Sequence, residues 1–260
     1  MSSFGLIGAG PVNQYLVGRL PRLSRELGPV AAANHRLASR IVNTLGAGEA
    51  KPDLNGLAEA HDILVCAPGR HFELIRPVIE SANLNWKRKT VILCACDAFS
   101  VDLAALRERG AAVGSLRPVA GLGTRYVVEG DRPAVKVART VVRDLGALPI
   151  EIDHEKTDLF SAALTLSTSL TTPLMEGCMT AIQGAGITGA SRGQLLEALF
   201  LQTLRFYLYS GRKSWTGTIA EGDEARMERE IAALERIQPA VANVYRAGLE
   251  SAQTLLRPKR

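Results

Sequence analysis

A short glycine turn, Gly8-Ala-Gly10-Pro-Val-Asn13, follows the apolar run at residues 4–9 and leads into a helix-compatible stretch from Val12 to about Leu23. Few features constrain a fold more. Gly8 permits a tight turn after a strand, and Gly10 lets the backbone approach a pyrophosphate. The free N–H groups and positive dipole end of the following helix complete an anion cradle. The third fingerprint position ordinarily holds Gly or Ala, and Asn13 stands there instead, which loosens helix–strand packing. Gly8, Gly10, Pro11, Val12 and Asn13 are therefore assigned to a dinucleotide. The plain alternative is a glycine turn that holds no ligand.

Placement strengthens the assignment. After the turn, apolar runs of strand length recur at residues 29–34, 62–67, 90–95, 112–116, 126–129 and 148–152. Helical patterns separate them at 38–45, 72–81, 101–109 and 133–145. Strands alternating with helices predict a parallel sheet covered on both faces, and continuously apolar strands are those buried on both sides. The expected fold is α/β: a doubly wound, mostly parallel Rossmann sheet over residues 1–152, followed by an all-helical domain over 153–260. No strand-like run recurs after Asp153. Leu159, Ala162, Ala163, Leu166 and Leu170 keep helical spacing, as do Leu195, Leu196, Leu199, Phe200, Thr203 and Leu204, with Ser191 as the expected N-cap. Helices over 225–237 and 240–256 close the chain.

In such sheets the end of the second strand reads the adenine ribose. An acidic residue there selects the 2′-hydroxyl of NAD, while a nearby arginine accommodates a 2′-phosphate. Asn34, His35 and Arg36 stand at this place, with Arg40 beyond and no carboxylate among them. The expected cofactor is NADP(H); the alternative leaves Arg36 and Arg40 as helix-surface charges. Ala67 and Pro68, ending the third strand, fall at the same edge and are also assigned to the cofactor.

Formal net charge is +5, yet aromatics make up only 5% of the chain and the basic residues are scattered. A dedicated nucleic-acid surface clusters its charge, so no nucleic-acid partner is expected. A phosphate-rich cofactor or anionic substrate accounts for the excess. Trp86-Lys87-Arg88-Lys89 and the tail from Arg257 read as solvated surface. No apolar run reaches the ~20 residues of a membrane span, and the N-terminus has no basic region of a secretory signal; a cytoplasmic location is expected. Four cysteines form no framework, and Cys94 and Cys96 read as reduced thiols with no metal.

Three further stretches carry a resemblance. Gly114-Ser-Leu-Arg117-Pro118, closing the segment from Ser100, is similar to a Gly-Ser-Leu-His-Pro motif. Leu159-Phe-Ser-Ala-Ala163 with Thr168-Ser169 is similar to a Tyr-His-Ala-Ala helix followed by Ser-Asn. Trp215-Thr-Gly-Thr-Ile-Ala-Glu-Gly-Asp223 is similar to Leu-Thr-Gly-Pro followed by Arg-Gly-Asp. Together with the phosphate loop, these resemble the Rossmann-like proteins related to deazaflavin-dependent NADP oxidoreductases. That family carries a helical C-terminal domain of unknown function like that of 6-phosphogluconate dehydrogenase. The resemblance spans nearly the whole chain and implies NADPH-dependent reduction of small 2-keto acids. Arg117, Ser161, Ser169, Thr218 and Glu221 replace the family's His, His, Asn, Pro and Arg, and Cys94-Ala-Cys-Asp97 replaces its Cys-Ser-Gly.

Hydride transfer to a carbonyl needs a proton donor and a group that holds the substrate. Lys156, Ser169 and Arg117 are the candidates. Lys156 is a possible donor or a solvated first-turn lysine. Ser169 belongs, with Ser161, Thr165 and Thr168, to a hydroxyl cluster that either lines a cleft or bonds back to its own helix. Arg117 suits a carboxylate or pairs with an acid such as Glu221 or Asp223. Arg70 and His71 follow the third strand as lesser candidates. The expected activity is an NADP-dependent oxidoreductase acting on a small carbonyl or imine that bears a carboxylate. A nucleotide-binding sensor or partner-binding protein without turnover is the rival. Leu201, Phe206, Tyr207 and Tyr209 broaden the apolar surface of one helix, which predicts a homodimer through the helical domain.

Overall fold

A computed structural model describes residues 4–9, 25–67, 70–94, 98–119 and 125–256. The chain divides into two compact units, Met1–Leu159 and Phe160–Arg260.

Among the described residues, eight strands make the sheet of the first unit: β1 (Phe4–Gly8), β2 (Leu27–Ala32), β3 (Glu49–Ala50), β4 (Asp62–Cys66), β5 (Thr90–Leu93), β6 (Ala112–Pro118), β7 (Arg125–Gly130) and β8 (Leu148–Glu151). Their spatial order is β3-β2-β1-β4-β5-β6-β7-β8. All pairings are parallel except β6 with β7. The first six strands thus have the Rossmann order, with strand order, not strand direction, reversing between β1 and β4. The expected doubly wound fold is the observed one.

Side chains on both faces explain the continuous apolar runs. Leu6, Leu64, Ile92 and Leu116 point to one face, where α1 (His35–Leu45) covers them with Ala38 and Ile41. On the opposite face Ile7, Val65, Leu93 and Val113 meet Phe72, Ile75 and Ile79 of α2 (Arg70–Ser81), and Leu106 of the short α3 (Ala104–Glu108). α4 (Arg132–Asp144) packs Ala134, Ala138 and Val142 on the α1 face. The turn from β7 into α4 depends on Gly130. Its φ of +123° is open to glycine, and a Cβ there would lie 2.3 Å from the Val113 carbonyl oxygen.

Several expectations need correction. The second strand runs from Leu27 to Ala32, so Asn34 lies beyond it. The two-residue β3 has no periodic signal and was not foreseen. Residues 101–109 split into a 3-10 turn, Ser100–Leu103, and α3. The stretch from Trp86 to Lys89 is not uniformly solvated, because Trp86 and Lys89 are both buried. Trp86 lies under the Arg109 guanidinium, which in turn donates to the Glu80 and Ala82 carbonyls at 2.6 and 2.8 Å.

The second unit is helical: α5 (Thr157–Ser167, which crosses the division), α6 (Thr171–Gly184), α7 (Ala190–Ser210), α8 (Thr218–Glu221), α9 (Glu224–Ile237) and α10 (Pro239–Leu256). Helix α6 is additional to the expected set. Gly189, not Ser191, is the N-cap of α7. Gly177, Met227, Val241 and Ala242 are the buried residues where α6, α9 and α10 meet. None of the 21 residues of α7 is buried, and Leu208 and Tyr209 are 75% and 91% exposed.

Candidate active site

Open α/β sheets bind ligands outside the carboxyl ends of their strands, at the point where strand order reverses. Here that point lies between β1 and β4. Gly8 ends β1, facing Ala32 on one side and Cys66 on the other. The next peptide stays in register, with Ala9 N donating to the Cys66 carbonyl at 3.1 Å. Ala67 follows and is fully buried. Among the described residues only small side chains, those of Ala9, Ala32, Cys66 and Ala67, stand with Gly8 at this crossing, which suits a close approach to backbone. Gly10, Pro11, Val12, Asn13 and Pro68 lie outside the described residues.

On the β2 side, Asn34 adopts an extended backbone and caps α1. Its Oδ1 accepts from Leu37 N at 2.9 Å. That oxygen is thus occupied, while the side-chain amide N–H groups remain as donors. His35 and Arg36 form the exposed first turn of α1, which carries no acidic residue, and Arg40 lies exposed one turn on. Neither arginine has an ion-pair partner among the described residues. An exposed helix N-terminus with two unpaired guanidinium groups suits a phosphate. The residues present fit a dinucleotide with a 2′-phosphate.

Farther along the same edge, Arg117 occupies the penultimate position of β6, and Pro118 holds its backbone extended. The Arg117 guanidinium carbon sits 4.8 Å from the centroid of the Phe99 ring. Beneath Phe99 lies a buried polar cluster that sequence reasoning missed. Glu129 of β7 is fully buried. It accepts from Ser100 N at 2.8 Å, from Ser100 Oγ at 2.6 Å and from Ser115 Oγ. Arg107 Nε donates to both Asp131 carboxylate oxygens at 3.1 and 3.0 Å, and Asp131 also accepts from Val113 N. The available signal was Glu129 itself, a carboxylate at an inward position of an apolar strand.

Cys66 and Cys94 lie side by side on β4 and just past β5, both buried and free. A hydrogen bond with Cys66 and burial push the Cys94 thiol well above its ordinary value. Cys94 held as the thiol is unreactive as a nucleophile. Cys96 lies outside the described residues. Among the described residues no group of His, Cys, Asp and Glu has the arrangement to hold a metal ion.

The remaining candidates are less enclosed. Lys156 ends the 3-10 turn His154–Lys156, is 66% exposed at its side chain, and pairs with Asp153 at 3.5 Å. Ser169 sits exposed in the turn between α5 and α6, in the second unit. In the hydroxyl cluster Thr168 Oγ1 donates to its own helix at Leu164 O, 2.6 Å away. Asp223 caps α9 by accepting from Arg226 N at 3.0 Å. His71 is half-buried in the first turn of α2, beside an exposed Arg70.

Residues 124–251 match the family model described as Domain of unknown function (DUF2520). The DUF2520 match opens at β7, so it takes in the antiparallel end of the sheet as well as the helices. No curated protein matches the sequence. Solved structures are similar over nearly the full length. One is the imine reductase of Aspergillus terreus in complex with NADPH4 and dibenz[c,e]azepine. It has a TM-score of 0.73 and 15% identity, over 98% of this chain and 94% of that one. Another is the imine reductase of Myxococcus stipitatus in complex with NADP+, at TM-score 0.67 and 14% identity over 97% and 94%. A third is a protein of Thermotoga maritima, at TM-score 0.64 and 15% identity over 98% and 100%. These likenesses establish the fold alone, a Rossmann sheet with a helical region after it.

Proposed function

We propose that this chain is an NADP(H)-dependent oxidoreductase that reduces a small carbonyl or imine compound bearing a carboxylate. One observation carries the reading: the sheet's switch point, formed by Gly8 and Ala67, lies beside an acid-free helix start bearing Arg36 and Arg40, which have no ion-pair partner among the described residues. The similar folds include imine reductases whose structures contain NADP+ or NADPH4, which supports both the cofactor and the imine class.

In this reading Gly8, with the turn through Asn13, brings backbone N–H groups to the pyrophosphate. Asn34, His35 and Arg36 take the adenine ribose and its phosphate, and Ala67 and Pro68 bound the cofactor on the β4 side. Bound NADPH supplies the hydride. Arg117, at the carboxyl end of β6, holds the substrate carboxylate through its planar donor fork. With a guanidinium that stays charged, Arg117 is not the proton donor. The proton comes from Lys156 or from water. The exposed apolar surface of α7 is covered in a homodimer, and the protein works in the cytoplasm. Among the described residues no helix is long and apolar enough to cross a membrane.

Purified protein mixed with NADPH and a panel of 2-oxo acids and cyclic imines tests the reading. Loss of NADPH absorbance with at least one carboxylate-bearing compound is expected. NADPH that binds but is never oxidised across the panel would replace the enzyme with a nucleotide-binding sensor.

A further inference from the structure

Arg117 does not stand alone on its strand. Its guanidinium lies over Phe99, a ring only 7% exposed. The backbone of that ring is held on both sides. Phe99 N donates to Asp102 Oδ2 at 2.7 Å, and the next peptide, at Ser100 N, donates to Glu129 Oε1 at 2.8 Å. Ser100 Oγ adds a bond to Glu129 Oε2 at 2.6 Å. Glu129 also accepts from Ser115 Oγ, and Ser115 faces Glu129 directly across the β6–β7 pairing. Ser115 precedes Arg117 by two residues on β6, so both project from one face. The contacts close a ring that runs from Arg117 to Phe99, through Ser100 to Glu129, and back through Ser115 to the strand that carries Arg117.

Such a ring has a consequence for recognition. A free arginine side chain samples many rotamers, and its carboxylate partner must order it on binding. Stacking on an aromatic ring uses a face of the guanidinium and none of its N–H donors, which lie in the plane. A ring whose peptide is held by two carboxylates, Glu129 fully buried and Asp102 half-buried, therefore sets the plane in which the donors point. We propose that Phe99 is a positioning residue that holds the Arg117 guanidinium in one plane for recognition of a substrate carboxylate. Glu129 and Asp102 act one step further back, by fixing the Phe99 peptide. The inference rests on the reading of Arg117 as the carboxylate anchor.

Calorimetric titration of the full chain loaded with NADP+ tests it, with pyruvate and methyl pyruvate as probes. The two share a skeleton, and only the first carries the charge. The unaltered protein is expected to prefer pyruvate, and Arg117→Ala to abolish the preference. Phe99→Leu keeps the arginine and removes the aromatic face. It is expected to weaken pyruvate by about fivefold, the scale of a lost cation–π contact, with methyl pyruvate and NADP+ unchanged. Phe99→Tyr restores the ring and the preference. Phe99→Met, nearer in volume, gives the same readout if leucine unsettles the fold. A purely packing role would weaken both probes and the cofactor together, and that result overturns the proposal. If Arg117→Ala loses the preference while both Phe99→Leu and Phe99→Met keep it, the positioning role falls and the anchor stands. Absence of any preference in the unaltered protein overturns the anchor and the positioning role together.

Discussion

Lys89 offers a demanding test of the fold's polar bookkeeping. The residue immediately precedes β5 at the amino edge of the sheet, opposite the candidate site, and is only 7% exposed. Its ammonium has three donors and meets three backbone carbonyls, those of Leu57 at 3.2 Å, Ala58 at 2.9 Å and Ala60 at 2.6 Å. Those carbonyls lie at and just beyond the end of the 3-10 helix Leu54–Leu57, where helical partners run out. Each charged bond contributes about 1.5–3 kcal/mol, a gross gain of roughly 4–9 kcal/mol, and burial of the ammonium costs several kcal/mol of that. Burial also pulls the Lys89 ammonium below its ordinary value, so the carbonyls do not fully replace lost hydration. Lys89→Met keeps the aliphatic stem and leaves the Ala58 and Ala60 carbonyls without their ammonium donor, at about 1–3 kcal/mol each where water does not reach, while Leu57 O keeps the Ala60 N–H at 3.1 Å. A net loss of about 3 kcal/mol is expected. Urea unfolding at fixed protein concentration reads it as a lower midpoint with an unchanged m-value. NADPH affinity should not change, since the opposite sheet edge is untouched. A loss below about 1 kcal/mol would refute the reasoning, because it would mean that water serves those carbonyls as well as lysine does.

Arg36→Glu is expected to weaken NADPH binding at least tenfold while leaving NADH within about twofold, as reversing one charge beside a 2′-phosphate requires; fluorescence titration of both cofactors checks it. Tyr245 donates its hydroxyl proton to Glu230 at 2.7 Å, and burial followed by that bond pushes its pKa up from 10 to about 12. Its folded value is the higher one, so its stabilising contribution is complete below pH 10 and is lost as pH rises through about 12; in an ultraviolet phenolate titration, Glu230→Gln should move one tyrosine to lower pH. Light scattering should give about twice the 27.9 kDa of one chain at micromolar concentration, and a single-chain mass would remove the homodimer.

The sequence made the sheet legible because burial on both faces writes itself as unbroken apolar runs. Leu64 and Val65, for example, are both fully buried yet face opposite cores. What escaped depends on contacts distant in the chain. Lys89 lies about thirty residues from the carbonyls it caps, so a run of charges next to Trp86 reads as surface. Glu129 meets Ser115 through the β6–β7 pairing and Ser100 from the 3-10 turn after β5, 29 residues away in the chain. Phe99 gave no sign of lying under Arg117, since the contact joins the chain after β5 to the end of β6. Helix α6 was missed for another reason: its Thr-, Gly- and Met-containing sequence has no sharp apolar stripe, and Gly177 and Gly184 leave room for Val241 and Ile237 instead of projecting side chains.

The central claim is that the edge formed by Gly8, Ala67 and the first turn of α1 binds NADP(H). The most direct test is the ratio of NADPH to NADH dissociation constants for the unaltered protein, measured by quenching of Trp86 and Trp215 fluorescence. A 2′-phosphate that gains even one charged hydrogen bond from Arg36 or Arg40 is favoured by about 1.5–3 kcal/mol, so NADPH should bind at least tenfold more tightly. Equal affinities, or tighter binding of NADH, would contradict the account.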